Sequence, residues 1–131
     1  MADFAIALKS WIKGNAEVAA LTTELHWTRV PQGKSLPYVR LQTVSDPRPQ
    51  HLKGYDAMRE TRVQVDCFAS SWGQSRAIAE AIIAATARPA THGGIQFGRV
   101  RAEGPRDLGE DTPSGFVHRA NMDLFVAHKS L

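Results

Sequence analysis

Two stretches of apolar–polar alternation, set either side of a Pro- and Gly-bearing interval, constrain this chain more than any other feature. Val39 and Leu41 alternate with Tyr38, Arg40 and Gln42, and Val63, Val65 and Cys67 alternate with Arg62, Gln64 and Asp66. A period of two places one set of side chains on a buried sheet face and the other on a polar face. Between them, Asp46 to Ala57 holds Pro47, Pro49 and Gly54, which a central strand does not accommodate. The two strands are therefore expected to form a hairpin whose tip is longer than the usual roughly two to five residues.

The flanking sequence supplies helices and a second hairpin. Phe4, Leu8, Trp11 and Ile12 form one helical stripe, with Asp3 as cap and Gly14-Asn15 as stop. Asn15 then caps a short helix over Ala16 to Leu21, and Leu25 to Val30 alternates loosely as a short strand ended by Pro31. Ser71-Trp72-Gly73-Gln74 has the capping-box pattern and opens a helix whose inward stripe is Ile78, Ala81, Ile82 and Ala85. Arg76 and Glu80 are spaced to pair on its other side, and Arg88-Pro89 ends it. Ile95, Phe97, Val100 and Ala102 suggest a strand with a bulge at Gly98. Gly104 to Gly115, with Pro105, Pro113, Asp107, Glu110 and Asp111, is expected to be a solvated, mobile tip. A return strand carries Ala120, Met122, Leu124 and Val126.

The order α-α-(β)-β-β-α-β-β implies an α+β fold: one domain over residues 1–131, a mainly antiparallel sheet of about four strands, and helices packed on one face. The expected shared core is Val39, Leu41, Val63, Val65, Cys67, Ile78, Ile82, Met122, Leu124 and Val126. A chain of 131 residues buries enough surface for such a core without disulfide or metal. The single cysteine excludes an intrachain disulfide, fits a reducing compartment, and shares a strand face with Val63 and Val65 as a small hydrophobe. Asp3 and the short Phe4–Leu8 run do not make a signal peptide, and no run approaches the ~20 apolar residues of a membrane span.

No constellation of residues points to chemistry. His26, His51, His92, His118 and His128 lack metal-ligand spacing, and His118 and His128 lie over roughly 30 Å apart along a strand. Asp107, Glu110 and Asp111 sit in what is expected to be a loop rather than on a rigid scaffold. Gly93-Gly94 leads into a strand, not a phosphate-binding helix. No catalytic residue, metal or cofactor is expected. The arginines are more informative. Arg40, Arg62 and Arg119 take the outward phase of their strands, Arg48, Lys53 and Arg59 lie around the first hairpin tip, and Arg99, Arg101 and Arg106 follow later. Two readings stay open: a solvated face with Asp66 and Asp123 as partners, or a charged surface meeting another protein or lining a channel. Phe68 and Phe125, on the polar phase, hint at an interface unless a further helix covers them. Trp11 belongs to the core stripe, whereas Trp72, at a helix start, is either an anchor or an interface residue.

Pro31-Gln32-Gly33, Leu36-Pro-Tyr-Val-Arg-Leu41, Arg62-Val-Gln-Val-Asp-Cys-Phe-Ala69 and Ser71-Trp-Gly-Gln-Ser75, followed by Arg76 to Ile82, occur in that order behind an amphipathic helix. In this order they resemble the tail-completion (tail-terminator) proteins of long-tailed bacteriophages and phage-like gene transfer agents. The likeness runs from Phe4 to about Val126 and is strongest from Val30 to Ala87. It implies a structural virion protein without catalysis. Such a subunit forms a ring, usually hexameric, at the head-proximal end of the tail tube, where it ends tube growth and joins tail to head. The implied partners are further copies of itself, the tail tube protein and the head–tail connector. DNA passes through the lumen at most non-specifically, no membrane is involved, and assembly takes place in the host cytoplasm. Arg48, Gln50, His51, Lys53 and Tyr55 on the first tip and Asp107, Glu110 and Asp111 on the second are the candidate interface residues. The rival class is a small basic nucleic-acid-binding or other head–tail connector module, motivated by the arginines and a pI near 9.4.

Overall fold

Each helix begins at the cap its sequence announces. The computed structural model describes residues 3–48 and 58–131. In α1 (Phe4–Lys13), the Asp3 carboxylate accepts from the Ile6 amide at 3.0 Å. In α2 (Ala16–Leu21), Asn15 Oδ1 accepts from Glu17 and Val18. In α3 (Trp72–Ala85), Ser71 Oγ accepts from the Gln74 amide at 3.2 Å. These bonds satisfy amides that have no partner within the helix. The turn of α3 ends at Thr86, whose hydroxyl donates back to the Ile82 carbonyl at 3.0 Å.

The sheet comprises β1 (Leu25–Trp27), β2 (Tyr38–Ser45), β3 (Arg59–Ala69), β4 (Ala90–His92), β5 (Ile95–Thr112) and β6 (Gly115–Ser130). Its order is β1-β2-β3-β6-β5-β4, so the expectation of about four strands is corrected to six. The two additional strands are the edges. Leu25 to Trp27 runs parallel to β2, opposite Val39 to Leu41, and every other pairing is antiparallel. Ala90 to His92 folds back on β5 through the Gly93-Gly94 turn. Both are only three residues long: β1 is the first half of the Leu25 to Val30 stretch expected as a short strand, whereas β4 is too short for alternation to show in sequence.

A second correction concerns Gly104 to Gly115. It is not a loop tip: β5 continues to Thr112, and its ladder with β6 closes at Thr112↔Gly115. Register shifts between Phe97 and Val100 and between Glu103 and Arg106 absorb the Gly98 and Gly104-Pro105 interruptions, after which pairing resumes. Gly104 has φ +104°, and a Cβ there would meet the Asn121 carbonyl oxygen at 3.0 Å, so the second bulge requires glycine. Asp107, Glu110 and Asp111 thus lie on a strand, polar because this end of the hairpin faces solvent on both sides.

All ten expected core residues are buried in one cluster, joined by Leu8, Ile12, Val18, Ile95 and Phe97. The cluster unites the three helices with the inner phase of the sheet, which places the helices on one face as the patterning requires. Trp11 stacks on Phe97 at 4.5 Å between ring centroids. Arg76 does not pair with Glu80. It reaches Asp107 at 3.2 Å, because the β5–β6 hairpin passes beside the first turns of α3.

Candidate functional site

The polar phase of the central strands builds a network of charged side chains that is itself largely buried. Asp66 on β3 is fully buried, and its oxygens accept from Arg40 Nη2 at 2.8 Å, Arg119 Nε at 2.8 Å, Asn121 Nδ2 at 2.6 Å and Gln64 Nε2 at 3.2 Å. Strand register produces this convergence, since Arg40 and Asn121 are the direct neighbours of Asp66 on β2 and β6. Burial alone raises the pKa of Asp66, but the bonds from Arg119, Asn121 and Arg40 outweigh it and hold the carboxyl below its usual range. One strand further, Asp123 accepts from Arg62 at 3.0 Å and Arg106 at 3.2 Å, and Arg106 also bonds Asn121.

The two aromatics of this face are covered by guanidinium groups, not by a helix. Arg40 and Arg119 lie 5.5 and 5.7 Å from the Phe68 ring, and Arg101 and Arg62 lie 4.0 and 5.4 Å from Phe125. The exposed-aromatic expectation is thereby corrected to half-buried rings under cations, an arrangement favoured by the ring quadrupole. The Nε atoms of Arg40 and Arg62 are buried with no acceptor.

A second polar cluster anchors the start of the first hairpin tip. Asp46 pairs with Arg48 at 3.1 Å and Arg59 at 3.5 Å, and accepts from the Thr61 hydroxyl at 2.8 Å. Since that hydroxyl donates to the carboxylate, it accepts from His128 Nε2–H at 2.7 Å. His128 is buried and stacks on Phe4 at 4.0 Å between centroids. Burial, with the nearby Arg59 charge, lowers its pKa to about 4, so the ring is neutral at pH 7. Nothing in the sequence distinguished His128 from His118, which shares the return strand.

Of the candidate interface residues, Arg48 is exposed beside Asp46, while Gln50, His51, Lys53 and Tyr55 lie outside the described residues. Asp107 pairs with Arg76, and Glu110 and Asp111 are exposed near the end of the second hairpin. Among the described residues, Arg48 with its partner Asp46 and nearby Arg59 lies at the His128 end of the sheet, and Glu110 and Asp111 lie at the other.

Burial, reinforced by the Asp66 charge, pushes the Cys67 thiol far up, which leaves it inert as a nucleophile. Among the described residues no group of His, Cys, Asp or Glu is placed to hold a metal ion, and no helix is long and apolar enough to cross a membrane. A groove of about 530 Å³ is lined by Ile6, Lys9, Ser10, Lys13, Gly14 and Trp27. At the far end of the β5–β6 hairpin, Leu108 and Phe116 are 47% and 48% exposed.

Comparison with known proteins gives a family and a fold. The family described as tail completion protein gp17 matches residues 6–124. A chain from a structure titled "Virion of native gene transfer agent (GTA) particle" superposes with a TM-score of 0.69 at 13% identity, over 96% of this chain and 95% of that one. A second solved chain gives 0.56 at 11% identity, over 95% and 89%. No curated protein matches.

Proposed function

This chain belongs to the tail completion protein gp17 family and is a phage-type tail structural protein, and on that premise we propose that it closes as a ring at the head-proximal end of the tail tube. The ring, a hexamer, presents one face matching the tube and a different opposite face, so tube growth stops where the templating surface is lost. The opposite face receives the head's connector. The observation that carries this reading is the family match over residues 6–124, nearly the whole chain. The superposition on a gene transfer agent virion chain supports placing it in a particle of that kind. Charge placement argues against the nucleic-acid-binding alternative. Arg40, Arg62, Arg106 and Arg119, which make the face basic in sequence, are held by Asp66 and Asp123 and are poorly placed to neutralise phosphates.

Deleting the gene is expected to leave filled heads beside unjoined, often overlong tails. Normal particles with tails of normal length from the deletion strain overturn the proposal. Removing residues Arg48 to Tyr55, which takes out the candidate contacts Arg48, Gln50, His51, Lys53 and Tyr55, is expected to leave a folded subunit that fails to join tails to heads.

A further inference from the structure

We draw no further inference here: the strongest candidate, the surface groove along α1 lined by Ile6, Lys9, Lys13 and Trp27, carries none because nothing in the structure shows what covers it.

Discussion

Replacing Asp66 with leucine isolates the physics of the arginine-bearing sheet face. The substitution removes a fully buried carboxylate and leaves Arg40 and Arg119, with side chains 30% and 29% exposed, facing each other without an anion. Each lost charged bond, partly replaced by water at that exposure, costs about 1 kcal/mol, and the buried Asn121 amide left without its acceptor adds about 1–2 kcal/mol. The total, about 3–4 kcal/mol, agrees with the cost of removing one partner from a buried ion pair. Asp123→Leu provides the internal comparison. Its partners Arg62 and Arg106 are 42% and 49% exposed, so water replaces more of the loss and the effect is expected to be about half as large. Urea denaturation at pH 7, with unchanged slope, measures both. The sign of the pH dependence is fixed by the lowered Asp66 pKa. Its contribution is present above 3.8 and is lost as pH falls through the folded value, so wild type and Asp66→Asn should converge in acid below that point. An Asp66→Leu protein within about 0.5 kcal/mol of wild type, the range of ordinary surface changes, would refute the reasoning.

Two further predictions rest on single buried groups. His128 stays neutral in the fold to about pH 4, whereas an unfolded histidine protonates near 6.5. The unfolded state therefore binds more protons as pH falls between those values, and stability should drop by about 3 kcal/mol across that window. Denaturation midpoints of His128→Gln measured from pH 7 to 4 should lack that fall, and a variant curve parallel to wild type removes His128 as its cause. Val65 is fully buried between Leu41 and Met122 on the neighbouring strands, so Val65→Asp places an unpaired charge in the core and should unfold the domain. Circular dichroism with an unchanged thermal midpoint contradicts the assigned strand phase.

What the sequence determined by itself is the local and the periodic. Caps at Asp3, Asn15 and Ser71 act within a few residues of their own backbone, so their side-chain chemistry suffices to place the helix starts. Alternation in β2, β3 and β6 assigns each residue to a face wherever one face is apolar, which is why the core from Val39 to Val126 was legible. The ordered motifs from Val30 to Ala87 likewise carried the family resemblance that the match over residues 6–124 bears out. Tertiary structure alone decided the rest. β4 is a strand only because β5 supplies its hydrogen bonds, and the fold decided that the short strand legible at Leu25 runs parallel to β2. Asp107 to Thr112 is strand rather than loop because bulges let the β6 ladder resume past Gly104-Pro105, and a polar ribbon exposed on both faces has no hydrophobic period to announce it. The partners of Asp66 come from residues 26, 53 and 55 positions away, brought together by register; sequence offered Asp66 as a partner of the outward-phase arginines but showed neither the Asn121 bond nor that the carboxylate is buried.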